Sequence, residues 1–466
     1  MNALEVLSLL AATGITLCLI VRPFFVYRIL KPTAALIIGL LGLQLVVGGY
    51  SWRYAPSCLL IFVITTWAFA DQYVRNSIIT RRVLQGLLTI LLPLALLPGV
   101  VFLPVPTLPQ PIGSYRLSTK TFRWVDSSRH EGITADTLDR RNVIVQAWYP
   151  TDSEVISESG SYLDGLGILP SYVGMIPSEV FDRYDRIDTR AELERPISSV
   201  EPRWPVIIFL PGNAASRAFY TSLITQIASF GYVVLAIDHP YDALVVQLAD
   251  GSLATNVERN LPGETNLLKF MELRAQTRIE DVKFVIDELI ERKISNDFFS
   301  HLDGGQIAIV GHSLGGATGA MAMAVDTRIK AAVNIDGTPY GDLPQLPTPR
   351  PFLLIESKKD KSERYLRYEQ GNQKLFQYFG GGFRYELTQA DHYSFTDVPL
   401  LLTPLARLLT HTFVGIGGVP EQTYFATAAM VAAFLSDSRL DLDSVAAKNE
   451  GILKKSLAGG LETSKP

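Results

Sequence analysis

Gln306-Ile-Ala-Ile-Val-Gly-His-Ser-Leu-Gly-Gly-Ala-Thr318 is the stretch on which the fold turns. Gln306 to Val310 is a short β-branched run that reads as a buried strand. It leads directly into Gly311-His312-Ser313-Leu314-Gly315, a G-x-S-x-G pattern, and then into a helix of small residues that includes Gly316, Ala317, Gly319 and Ala320. Strand, sharp turn and helix are the context that a nucleophile elbow requires. Glycines flank the serine because a Cβ on either side of so tight a turn collides with backbone. The helix N-terminus behind Ser313 favours negative charge, whether an alkoxide or a tetrahedral oxyanion. A chance match in a surface turn is the bland alternative, and the flanking strand and helix speak against it.

Outward from the elbow, apolar strands alternate with helices. Val206–Leu210 reads as a strand ending in Pro211-Gly-Asn213; a helix over Ala218–Phe230 precedes a strand at Tyr232–Ile237, which ends at Asp238-His239-Pro240. A long helix over Met271–Arg292 carries Ile279, Val282, Val285, Ile286 and Leu289 at helical spacing. Strands at Lys330–Ile335, Pro351–Ile355 and Phe383–Leu387 follow the elbow, with an apolar helix at Tyr424–Leu435. Upstream, Ser114–Asp126 and Asn142–Tyr149 read as an opening antiparallel pair. The pattern predicts an α/β fold over residues 105–440, a mostly parallel sheet flanked by helices. Ligands bind outside the carboxyl ends of such strands, and Ser313 stands at one of them. The irregular stretch 152–204 reads either as a lid or flap or as packing on the sheet edge. Residues 441–466 read as a flexible polar tail.

The chain has 466 residues, 48% of them hydrophobic, and the apolar excess lies in the first hundred or so. Four apolar segments stand out there: Ala3–Val21, Thr33–Gly49, Ala55–Ala70 and Val83–Leu103. The first, second and fourth are long enough to cross a hydrocarbon core of about 30 Å, and the third is short. Trp52, Tyr54, Trp67 and Tyr73 lie near segment ends, where amphipathic rings prefer the interface. Arg22, Arg28 and Lys31 follow the first segment and Arg75, Arg81 and Arg82 the third, whereas the second connection holds only Arg53. The positive-inside bias then predicts a multi-pass anchor over residues 1–104, with everything after Leu103 on the extracytoplasmic side. A signal peptide is the competing reading of the first segment; it lacks a basic n-region and an A-x-A site. Pro104-Val-Pro-Thr-Leu-Pro-Gln-Pro111 reads as a stiff linker. Net charge is −4 and unclustered, which argues against a nucleic-acid partner. The two cysteines, Cys18 and Cys58, both lie in apolar segments and exclude a disulfide framework.

A serine hydroxyl needs a base, and the base needs an orienting acid. In this fold class they follow in the order Ser, Asp or Glu, His. Of six histidines, only His392 and His411 come late enough. His392 follows the last strand in a loop that can reach Ser313, while His411 sits in the apolar run Leu408-Leu-Thr-His-Thr-Phe413. His312, inside a regular elbow, is expected to point away from the site, and His239 reads as structural. Two aspartates compete as acid. Asp336 closes the strand after the elbow helix; Asp360 closes the next strand, inside Lys358-Lys-Asp-Lys-Ser-Glu-Arg364, a solvated charged loop. A triad acid is normally buried, which favours Asp336 and leaves Asp360 as the alternative. The backbone N–H groups of Leu314 and Asn213 are the expected oxyanion donors.

The Gly-His-Ser-Leu-Gly-Gly-Ala-Thr run, the short serine-to-Asp336 spacing and the acid-then-glycine order resemble the platelet-activating factor acetylhydrolase family of α/β-hydrolases, plasma (isoform II) type. The helix bearing Arg278 and Asp281 and the early Trp148-Tyr149-Pro150 add to the likeness, which spans Ile112–Leu435. The resemblance implies calcium-independent hydrolysis of the sn-2 acyl ester of phospholipids with short or oxidised chains. It also implies Ser313 as nucleophile, His392 as base, Asp336 as acid, and no metal or other cofactor. One departure is that the family's oxyanion loop usually begins His-Gly, whereas here it is Pro211-Gly212. The multi-span N-terminus is another. The sequence reading is therefore a membrane-anchored serine carboxylic-ester hydrolase with a lipid or small ester as substrate and the bilayer as partner. The alternatives are a general carboxylesterase, lipase or polyester hydrolase, or a non-catalytic α/β-hydrolase-fold binding protein.

Overall fold

A computed structural model describes residues 3–21, 23–48, 54–102, 105–153, 158–174, 176–257, 264–292, 296–358, 363–402, 407–408, 410, 420–436 and 442–456. The chain divides into two compact units, Met1–Val105 and Pro106–Pro466.

The first unit is helical: α1 (Ala3–Val21), α2 (Pro23–Gly48), α3 (Ala55–Phe69), α4 (Asp71–Asn76) and α5 (Ile78–Phe102). Leu19, Leu30, Trp67 and Leu88 are fully buried among the helices, while Leu10, Phe62, Phe69 and Ile90 face outward. Two stretches, Val26–Val46 and Ile78–Leu97, are long and apolar enough to cross a membrane; Leu7–Val21 and Ala55–Phe69 are shorter apolar helices. Some of this unit's polar groups pair internally. Gln44 Nε2 donates to Tyr54 Oη at 2.9 Å, and Gln85 Nε2 reaches the Leu19 and Ile20 carbonyls.

The second unit is built on one sheet. Its strands are β1 (Leu117–His130), β2 (Arg140–Pro150), β3 (Glu192–Leu193), β4 (Trp204–Leu210), β5 (Val233–Asp238), β6 (Leu302–His312), β7 (Ile329–Ile335), β8 (Phe352–Glu356), β9 (Phe383–Leu387) and β10 (Leu453–Lys455). Their spatial order is β10-β9-β8-β7-β6-β4-β5-β2-β1-β3. The central run from β9 to β5 is parallel; β2 and β10 pair antiparallel to it on either side. Val, Ile and Leu on both faces of these strands are buried because helices cover both sides. The helices are α6 (Thr221–Ala228), α7 (Glu264–Arg292), α8 (Leu314–Val325), α9 (Glu363–Tyr378), α10 (Pro420–Leu435) and α11 (Leu442–Lys448). A mostly parallel sheet flanked by helices is the α/β-hydrolase arrangement expected from the sequence.

The chain runs from β4 outward to β5, then crosses by α7 to β6 on the other side of β4. The order reverses between β4 and β6, so the loops leaving these neighbours open a crevice at their carboxyl ends.

One reading of the sequence needs correction. The segment after 441 is not a free tail over its described part. α11 precedes β10, which pairs with β9 through Tyr385↔Lys455 and Leu387↔Leu453 and buries Leu442 and Leu453. So short a strand, rich in lysine, is invisible to periodicity and is specified by the open sheet edge. The stretch 152–204 does pack on the sheet: β3 pairs with β1, and Tyr162 is buried.

Candidate active site

Ser313 stands between β6 and α8 at φ 55°, ψ −125°, a conformation that L residues adopt only when the surroundings enforce it. Its N–H donates to the Ile335 carbonyl at 2.8 Å, and its carbonyl accepts from Ala317 at 3.2 Å. The turn closes so tightly that a Cβ on Gly315 would lie 2.1 Å from the Leu210 carbonyl oxygen. That close approach holds the oxygen-bearing end of β4 against the elbow.

Asp336 is also at positive φ, 53°, directly after β7, with its N–H on the Ile355 carbonyl at 2.8 Å. Its carboxylate accepts from the Ser357 N–H at 2.9 Å and the Ser357 hydroxyl at 2.8 Å. His392 opens a 3-10 turn, His392–Phe395, whose entry is fixed by a reciprocal cap between Asp391 and Ser394. Its Nδ1 lies 2.7 Å from Asp336 Oδ2 and its Nε2 2.9 Å from Ser313 Oγ. The three side chains thus form a continuous line of hydrogen bonds, carboxylate to imidazole to hydroxyl, along which a proton can leave the serine. Burial pushes the Asp336 carboxyl up, but the His392 hydrogen bond and charge and the Ser357 amide outweigh it, and the net shift is downward. A carboxylate kept ionised this way fixes a proton on Nδ1 and leaves Nε2 as acceptor toward the serine.

His312 differs from expectation. Its ring lies 4.6 Å from that of His392, centroid to centroid, and its Nδ1 is 2.8 Å from the Tyr220 hydroxyl. It forms the floor under His392 rather than turning away from the site. Burial and the nearby His392 push its pKa down to about 3, so it stays neutral. His312, Asp336 and His392 bring nitrogen and carboxylate atoms within 4.8 Å of one another, a spacing that could hold a metal ion. Both ring nitrogens of His392 are already engaged by Ser313 and Asp336, which fits a proton relay better than a ligand set.

The loop Pro211–Ser216 leaves β4 against the serine: a Cβ on Gly212 would lie 3.4 Å from Ser313 Cβ. Among the described residues, neither the Asn213 N–H nor the Leu314 N–H has a hydrogen-bond partner. Asp360 and His411 lie outside the described residues. His239 is buried, with Nδ1 2.7 Å from Asp281 Oδ2, in a network with Arg141 and Arg129. It borders a cavity of about 740 Å³ beside α7, lined also by Ile133, Phe270, Met321 and Tyr340. Neither Ser313 nor His392 lines that cavity.

Several supporting residues escaped the sequence reading. Ser357 and Asp397 occur in stretches with no pattern of their own, and nothing in the expected helix Ala218–Phe230 marks Tyr220. Asp397 is buried under the His392 turn, where it accepts from Tyr162 Oη at 3.1 Å and from the Ser222 N–H at 3.2 Å. Arg278 did leave a signal, an arginine on the apolar stripe of α7 beside Ile279 and Val282.

The family described as platelet-activating factor acetylhydrolase, isoform II, matches residues 136–283 and 278–452. A probable 1-alkyl-2-acetylglycerophosphocholine esterase of Arthroderma benhamiae is 30% identical over 138 residues, covering 30% of this chain and 32% of that protein. The platelet-activating factor acetylhydrolase of Canis lupus familiaris is 24% identical over 251 residues, 47% of this chain and 55% of that protein. This chain therefore spans about a third to about half of the length of these relatives. A ferulic acid esterase from Streptomyces cinnamoneus superposes with a TM-score of 0.59 at 24% identity, covering 71% of this chain and 92% of that one. That likeness concerns the fold. With the family match extending over most of the second unit, this chain belongs to the platelet-activating factor acetylhydrolase, isoform II, family.

Proposed function

We propose that this protein is a membrane-anchored serine carboxylic-ester hydrolase acting on acyl esters of lipids, of the class with short or oxidised chains. The observation that carries the proposal is the unbroken hydrogen-bonded line Asp336–His392–Ser313 at the switch point of the sheet. Ser313 Oγ attacks the acyl carbon while His392 Nε2 takes its proton. The N–H groups of Asn213 and Leu314 hold the developing oxyanion. His392 returns the proton to the leaving alcohol, and the acyl-enzyme forms. His392 then draws a proton from water, the water attacks the acyl carbon, and the serine is released with the free acid. Asp336 keeps the imidazole oriented and balances its charge in both halves. No step requires a cofactor.

The lipid part of the proposal rests on family membership and on the first unit. Apolar side chains there face outward, and only 22% and 17% of the residues in its two longest apolar stretches are buried. That disposition supports Val26–Val46 and Ile78–Leu97 as spans, the two shorter apolar helices complete the proposed four over residues 1–104, and the basic loops favour an extracytoplasmic catalytic unit.

Fluorophosphonate labelling of the full chain in detergent tests the chemistry. Wild type should be labelled and Ser313→Ala should not; a folded wild type that takes no label would overturn the assignment and leave a binding protein. Initial rates on a series of esters then fix the class. A preference for short acyl chains on phospholipid over soluble aryl esters supports the lipid reading, and the reverse order makes this a general esterase.

A further inference from the structure

Arg278 lies on the buried stripe of α7 and is 1% exposed. Asp242, in the loop after β5, accepts from Arg278 Nε at 2.7 Å. The other two nitrogens both reach main-chain carbonyls of the loop beside Ser313: Nη1 to Pro211 at 2.6 Å and Nη2 to Gly212 at 3.1 Å. Asp242 also accepts from the Ala214 N–H at 3.4 Å, where the backbone turns through φ 58°. A salt bridge alone would not need the guanidinium to read two successive peptide oxygens.

Each peptide unit is planar and trans, so its C=O and N–H point in opposite directions. The Pro211–Gly212 peptide shows the outcome: its C=O faces Arg278, and its N–H donates to the Tyr220 hydroxyl at 2.9 Å, which in turn meets His312. The far side of the loop is therefore the side of the elbow. By the same geometry, holding the Gly212 carbonyl on Arg278 aims the Asn213 N–H toward the elbow side. A rigid fork of five donors is suited to gripping adjacent carbonyls; an ammonium group is not.

We infer that Arg278, clamped by Asp242, is a positioning residue that orients the Asn213 N–H as an oxyanion donor, an inference resting on the ester-hydrolase reading above. Arg278 touches no reacting atom. Its loss should act on the transition state and spare ground-state binding.

The test uses the full chain in detergent with 4-nitrophenyl acetate as substrate and a trifluoromethyl ketone, whose hemiketal oxyanion occupies the same donors, as inhibitor. Arg278→Lys and Asp242→Glu both keep a paired charge in the site, so neither strands a buried ion. Arg278→Lys should lower kcat by about 10- to 100-fold with KM within about threefold, and weaken the ketone by a similar factor, as expected for a misaimed donor. Asp242→Glu should fall between wild type and Arg278→Lys. Unchanged kcat in both variants overturns the inference, as does a loss of kcat with undiminished ketone affinity. Ser313→Ala runs alongside. If wild type neither turns over the ester nor binds the ketone, the underlying hydrolase reading fails; if it does both and the two variants match it, this inference alone fails.

Discussion

The two units of this chain depart from the usual inside–outside arrangement of side chains in opposite ways. In the first, Phe69 is 82% exposed, Phe62 66% and Leu10 64%, although each lies in a helix. In the second, Arg278, Arg217 and Arg384 are buried against carboxylates, and Asp281 is buried against Arg141 and Arg129. Apolar groups turned outward and charges turned inward are both unfavourable in water unless something compensates. For the first unit the proposed compensation is hydrocarbon around it. For the second it is pairing: Arg384 meets both Glu356 and Glu369, and Arg217 meets both Asp164 and Asp238. The difference teaches that surroundings, more than composition, decide where a charge or a phenylalanine belongs.

The largest expected effect sharpens the second half of that comparison. Asp336→Asn keeps the shape of the side chain but allows the wrong imidazole tautomer, so kcat should fall by about 10³- to 10⁴-fold. Asp360→Asn should change it by less than about twofold. Initial rates on one ester check both. A large loss confined to the Asp360 variant would move the acid to the other strand end.

The first half breaks if the bundle is really an aqueous one. Ile90, 61% exposed within the apolar stretch Ile78–Leu97, is the position to probe. Ile90→Lys should disfavour integration by about 2.5–3.5 kcal/mol near a span centre, read as loss of alkali-resistant membrane association. Improved solubility without detergent, and no loss of fold, would instead mean that this face meets water.

The smallest effect concerns two buried titratable groups that flank the His392 turn with opposite signs. Burial raises the Asp397 carboxyl to about 7, against the lowering influence of Ser222 and Tyr162. Between about pH 4 and 7 the folded chain then keeps a proton that the unfolded chain has released, so this group makes stability fall as pH rises. His312, lowered to about 3, does the reverse. Between about pH 3 and 6.5 only the unfolded chain binds its proton, and stability rises with pH. Each slope is at most about 1.4 kcal/mol per pH unit, and in the overlap they offset. Asp397→Asn should leave the rising slope and His312→Gln the falling one, measured as Tm of the full chain in detergent between pH 4 and 7. Parallel curves for both variants and wild type would show that neither group is coupled to folding.

Much of this was legible in the linear chain because local chemistry repeats locally. The elbow needs two glycines around one serine, parallel strands need continuous β-branched runs, and hydrocarbon-length segments are apolar throughout. Strand ends narrowed the acid to Asp336 or Asp360, and the solvated charged loop around Asp360 favoured Asp336. What escaped notice were groups whose partners are remote. Ser357 gains meaning only beside Asp336, Tyr220 only beside Gly212 and His312, and Asp397 only beside Tyr162 and Ser222. α11 and β10 belong with these, since a three-residue strand exists only where β9 offers an unpaired edge.

By itself, then, the sequence determined the alternation of elements, the sharp turn at Ser313 and the split between an apolar N-terminal unit and a mixed C-terminal one. These depend on residue type and spacing within a dozen positions. Only the tertiary structure decided that His312 lies under His392, that the segment after 441 closes the sheet, and that Arg278 grips the loop beside the serine. Those are contacts between residues tens of positions apart, which meet only once the strands have assembled into one sheet.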